Sequence, residues 1–161
     1  MDHLWTPWRS AYVSSANRVE GCLFCTKSSE DDDRKNYVVL RGELNFILLN
    51  QYPYTTGHLM IAPYAHVATL EESDPRALEE LIRLGQRAEI ALRSAYRPEG
   101  LNLGFNIGRC AGAGVPGHLH MHVLPRWNGD TNFMTTVGDT RVMPEDLDTT
   151  YAKLFAAFRD P

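Results

Sequence analysis

The sequence predicts one α+β domain, with a mainly antiparallel sheet of about five strands, one long helix and one C-terminal helix. Three observations predict it. Short apolar runs, "YVVLR", "NFILLN" and "HLMIAP", follow one another across turn residues. A single long stretch then carries apolar residues at helical spacing. Two further strand-like runs flank a glycine-rich loop, "RCAGAGVPG".

Taken in order, residues 1–36 lack periodicity and read as an N-terminal extension, with 37–161 holding sheet, helices and candidate site. The extension carries Trp5 and Trp8 in "LWTPWRSAY", expected as core or subunit contacts, and Cys22 and Cys25 in "CLFC". Its acidic run, residues 30–33, reads as a solvated loop. The three strands are separated by "GE" and by "QYPYTTG", whose Pro53 and Gly57 favour a turn. Ser73 or Asp74 can cap the helix, Pro75 fits its first turn, and Pro98 and Gly100 end it. Leu78, Leu81, Ile82, Ala88, Leu92 and Ala95 are its expected buried face. The strand "LNLGFNIG", the loop and the strand "HLHMHVLP" come next. A short strand is expected after "RWNGDTNFM", and a last helix around 146–158.

The 161 residues suffice for one sizeable core, and 43% hydrophobic with 22% charged is ordinary for a globular chain. A net charge of -4 argues against a long nucleic acid partner, which needs a basic surface. No apolar run approaches the ~18 residues of a membrane span. "MDHLWTPWRS" does not read as a secretory signal, so the expected location is cytoplasmic. Three cysteines are too few for a disulfide framework. "CLFC" reads as half a zinc site or as a redox dithiol, and Cys110 as a small space-filler.

Three of the six histidines, His118, His120 and His122, stand at alternate positions of one strand. Alternation places them on one face, ~7 Å apart, with Leu119, Met121 and Val123 turned into the core. Histidine is not a favoured strand residue, so chance is a poor account. The rings could bind a metal, or one could act on a substrate while its neighbours assist. The loop upstream, with Gly108, Gly112, Gly114 and Gly117, can turn N–H groups inward as a phosphate cradle. A neutral imidazole facing a cradled phosphorus is a nucleophile.

His118-Leu-His120-Met-His122-Val-Leu, with "NFILLNQYPYTTGHLMIAPYAH" and "NIGRCAGAGVPGHLHMHVLPRWNGDTNFM", resembles the histidine triad (HIT) superfamily over roughly residues 20–135. "LWTPWRSAY" and "PRWNGDTNFM" look most like its bacterial branch acting on diadenosine polyphosphates. The resemblance implies a HIT-like fold and a purine nucleotide substrate, with adenosine the expected base. It implies that His120 attacks the α-phosphorus, that His122 assists the leaving group, and that His58 orients the triad. Asn50 would bind the ribose; Asn106, Gly112, Ala113, Gly114 and Val115 would hold phosphate. It implies a structural zinc on Cys22, Cys25, His66 and His118, with no metal needed by the covalent chemistry, and a homodimer. Arg109, Arg126 and Trp127 are expected beside the pocket, the arginines suiting distal or acceptor phosphate and Trp127 a second base, with Arg126 and Trp127 equally readable as a surface pair covering the sheet edge. Phosphorolysis of diadenosine tetraphosphate is favoured over plain hydrolysis. The rivals are a nucleoside phosphoramidate hydrolase, a zinc hydrolase with metal on the triad, and a nucleotide-binding module without turnover.

Overall fold

The computed structural model describes residues 21–138 and 143–159. Five strands, β1 (Val38–Arg41), β2 (Asn45–Leu49), β3 (Leu59–Pro63), β4 (Gly100–Phe105) and β5 (Met121–Arg126), form one sheet in the order β1-β2-β3-β5-β4. Every neighbouring pair is antiparallel. The α+β expectation holds. No helix among the described residues is long and apolar enough to cross a membrane.

Two short helices, α1 (Leu23–Ser29) and α2 (Asp33–Asn36), precede the sheet where the sequence showed no periodicity. They are too brief to carry an apolar stripe. The acidic run forms the link between them, with Asp31 and Asp32 exposed as expected and Asp33 opening α2. Asp32 caps α2 by accepting the Lys35 N–H at 3.1 Å, and Asp33 pairs with Arg41 at 2.8 Å. Glu30 accepts from the Asn36 amide at 2.9 Å.

The long helix α3 (Pro75–Tyr96) begins at Asp74, whose carboxylate accepts the Arg76 N–H at 2.8 Å. Arg97 closes it in a left-handed conformation at φ 48°. Its buried stripe is Ala77, Leu81, Leu84, Gly85, Ala88, Ala91 and Leu92. Ile82, expected on that face, is 57% exposed, because it sits ~100° around the helix from Leu81. Leu78 and Ala95 are half-buried at its margins. Gly85 lets α3 lie close on β5, since a Cβ there would stand 3.2 Å from Met121 Cε.

β5 starts at Met121, so His122 lies on the ladder while His118 and His120 precede it. Their segment is held by the Leu119 N–H donating to Val67 O at 2.7 Å. After Trp127 the described residues form a one-turn helix, α4 (Phe133–Thr136), and the short strand expected after Met134 falls largely on residues 139–142, outside the described residues. The last helix, α5 (Leu147–Ala157), is capped by Asp146. Trp5 and Trp8 lie outside the described residues.

One face of the sheet packs on α3 and α5 through Ile47, Leu49, Leu59, Ile61, Met121 and Val123. The other carries Val38, Phe46, Leu48, Met60 and Ala62 under Phe24 of α1.

Candidate active site

His118, His120 and His122 are all buried, at 1%, 5% and 8% exposure, so each ring nitrogen needs a partner or a purpose. Burial also keeps the rings neutral. It lowers His118 and His120 below the ordinary histidine range, and with His120's help pushes His122 down to about 4.

The hydrogen bonds then assign the tautomers. His120 Nδ1 is 2.8 Å from the His118 carbonyl, to which it can only donate. Its Nε2 therefore keeps a lone pair. His58 Nδ1 accepts the Tyr54 backbone N–H at 3.1 Å, and the Asn50 amide approaches it at 3.4 Å. His58 Nε2 thus carries the proton and donates it 2.9 Å to His122 Nδ1. That leaves His122 with a proton on Nε2. Two neighbouring imidazoles, 5.0 Å apart by centroid, present one lone pair and one N–H.

Both line a cavity of about 260 Å³. Its floor is Leu48, Asn50 and Met60 from the sheet. Leu23 and Lys27 of α1 form one wall, and Arg109, Gly114, Val115 and Pro116 the other. Gly108 and Gly112 adopt φ 85° and 91°, values that favour glycine and bend this loop around a short 3-10 turn, Arg109–Ala111.

His118 faces elsewhere. Its Nε2 is 2.8 Å from Pro63 O, to which it donates, so Nδ1 is unprotonated. That nitrogen lies 3.2 Å from Cys22 Sγ and 3.6 Å from Cys25 Sγ, while His66 Nδ1 is 3.4 Å from Cys25 Sγ. All four ligand atoms fall within 4.8 Å of one another. A tetrahedral zinc with ordinary bond lengths spaces sulfur and nitrogen ligands about 3.5 Å apart. The donors fit a zinc ion, and the Pro63 carbonyl supplies the outer hydrogen bond that orients a ligating histidine.

The structure thus brings together Asn50, His120, His122, Arg109, Gly114 and Val115 around one space, with His58 bonded to His122 from outside the lining. Asn106, Gly112 and Ala113 lie outside the cavity lining. Arg126 and Trp127 lie beside the triad cavity and not in its lining. They line an adjoining cavity of about 670 Å³ with Tyr96, and Tyr54 borders both. The Arg126 guanidinium is engaged there by Asp130 at 2.6 and 2.9 Å and by Asn102 at 2.7 Å. Cys110 is exposed on the loop rather than filling space.

Sequence reasoning missed Tyr54, Phe24 and Lys27. Tyr54 stacks on His122 at 5.8 Å, and Phe24 lies 4.8 Å from the His120 ring. A "Phe24" between two cysteines signals a buried helix face only once α1 is known.

The HIT domain family pattern matches residues 32–129. The AP-4-A phosphorylase of Mycobacterium tuberculosis is 38% identical over 154 residues, covering 91% of this chain and 79% of that protein. A zinc-bound histidine triad family protein from Mycobacterium smegmatis superposes with a TM-score of 0.70 at 27% identity, covering 86% of this chain and 94% of its own. A hypothetical histidine triad nucleotide-binding protein from Sulfolobus tokodaii gives 0.68 at 28%, covering 86% and 93%.

Proposed function

This chain belongs to the HIT domain family, and on that premise we propose that it transfers a nucleotidyl group from a purine dinucleoside polyphosphate through His120. The observation that carries the reading is the pair of assigned tautomers. His120 offers an Nε2 lone pair, and His122 beside it offers an N–H. His120 Nε2 attacks the α-phosphorus, forming an N–P bond as the P–O bond to the leaving chain breaks. The His122 N–H donates to the departing oxygen. An acceptor oxygen then attacks the phosphorus, the N–P bond breaks, and its electron pair returns to Nε2. His58 is a positioning residue, holding the His122 tautomer. Asn50 faces the ribose, its amide already tied to His58 and its Oδ1 accepting the Tyr52 N–H at 2.9 Å. Gly114 and Val115 border the phosphates from the loop, and Asn106, Gly112 and Ala113 are proposed to hold phosphate on the family resemblance alone.

Inorganic phosphate is the acceptor. Likeness to an AP-4-A phosphorylase supports this, as does Arg109 on the cavity wall. Arg126, held by Asp130 in the other cavity, is not needed for it. Cys22, Cys25, His66 and His118 hold a structural zinc, which cross-links α1 to the start of the triad segment. A metal on the triad itself is disfavoured, because the free nitrogens of His118 and His120 face different spaces. A homodimer in the cytoplasm is part of the same proposal. Ile82 and Ile90 on α3, with Leu103 on edge strand β4, are 57%, 63% and 48% exposed.

The test is product analysis with labelled diadenosine tetraphosphate, with and without millimolar phosphate, plus acid-stable or base-stable trapping of label on protein. ADP with ATP, and a base-stable, acid-labile labelled protein, support the proposal. AMP with ATP whatever the phosphate level makes the chain a hydrolase. Binding without products makes it a binding module.

A further inference from the structure

Lys27 is a buried lysine, 5% exposed, in the wall of the triad cavity. Its Nζ donates to Asn36 O at 3.0 Å. An ammonium carries three N–H donors, and no other hydrogen bond to Lys27 occurs among the described residues. Two donors are therefore unused at a buried charge, a costly arrangement unless something fills it. Glu30, the nearby carboxylate, is occupied by Lys35 at 3.2 Å and by the Asn36 amide at 2.9 Å.

The sheet register says which end of the cavity Lys27 occupies. Leu48 pairs with Met60, and Met60 with His122, so these three form a row across β2, β3 and β5. At about 4.8 Å per strand, Leu48 lies about 10 Å from His122. Asn36, which holds Lys27, leads into β1, on the far side of Leu48. The cavity therefore has a histidine end over β5 and a lysine end over β1 and β2. A nucleotide with its α-phosphorus at His120 extends its base towards the second end. The surfaces there, Leu23, Leu48 and Met60, are apolar and suit a flat ring, with the ammonium at its rim.

We propose that Lys27 reads the base, donating its two free N–H groups to O6 and N7 of a 6-oxopurine, so that the cavity prefers guanine nucleotides. Lysine to guanine O6 and N7 is a recurrent specific contact. Adenine offers N7 but sets its own amino group against the second donor. The inference rests on the proposal that this cavity holds the transferred nucleotide, and it replaces the adenosine that the family resemblance implies.

The experiment is calorimetric binding of GMP and AMP to the full chain, for wild type, Lys27→Met and Lys27→Arg. Wild type should bind GMP roughly tenfold more tightly than AMP. Lys27→Met should bring the ratio near one by weakening GMP, and Lys27→Arg should keep the preference. A wild-type preference for AMP overturns the inference, and so does a ratio unmoved by Lys27→Met. If Lys27→Met does not fold, the wild-type ratio and Lys27→Arg still decide. Absence of binding by either nucleotide removes the nucleotide site itself, and the inference with it. Binding of both with an unmoved ratio removes the base reading alone.

Discussion

The two faces of the sheet use alternate residues of the same strands and end in different chemistry. Ile47 and Leu48 are neighbours, as are Met121 and His122, yet one of each pair joins the helix-covered core and the other faces α1. α3 and α5 seal the first face, and a sealed space admits apolar side chains or fully partnered polar ones. Among the described residues, the second face is covered by the seven residues of α1, and the cavity lies beside them. Imidazoles survive burial there because each commits one nitrogen to a fixed partner and keeps the other for a ligand. Among the described residues, the core is the face that α3 and α5 cover, and the candidate site is the face that the short α1 covers.

The largest break in this comparison should come from His120→Ala. We expect turnover to fall by at least about a thousandfold, with the nucleotide dissociation constant within a few-fold of wild type. Steady-state rates and calorimetry check both. A variant keeping a tenth of the rate would remove His120 as nucleophile.

Next in size is a pair of substitutions one residue apart. Ile47→Ala and Leu48→Ala should each cost about 2–5 kcal/mol in urea unfolding, since both side chains are fully buried. Folded Ile47→Ala should bind nucleotide as wild type does, whereas Leu48→Ala should bind it several-fold more weakly. Equal binding by the two variants would erase the distinction between the faces.

The third test is pH. Burial, with His120 adding to it, holds His122 at about 4, against about 6.5 for an unfolded histidine. The unfolded chain therefore takes up its proton first as pH falls. The stability contributed by neutral His122 is complete above about 6.5 and is lost progressively towards about 4. The loss amounts to at most about 3 kcal/mol. Urea unfolding at several pH values should show that slope, and His122→Asn should flatten it. An unchanged slope in the variant would mean that the lost stability belongs to other groups.

Much of this was legible in the sequence. Strand runs and the helical stripe follow from periods of 2 and 3.6, which local residues encode without help. The alternation of His118, His120 and His122 marked them for chemistry, although His118 turns to the cysteines instead of the cavity, and "CLFC" read as half a zinc site or a redox dithiol. Ile82 was misplaced because an apolar residue beside a stripe looks like part of it until the packing partner is known.

What the sequence by itself determined was the kind of element at most positions and the residues able to do chemistry. Tertiary structure decided which atom of each residue is free to act. His118 turns Nδ1 to Cys22 across 96 residues, and His122 takes its tautomer from His58 across 64. Arg126 was drawn out of the candidate site by Asp130, and Lys27 into it by the fold of a helix too short to announce itself. Hydrogen bonds to distant partners set tautomers, burial and cavity walls, and no local period records them.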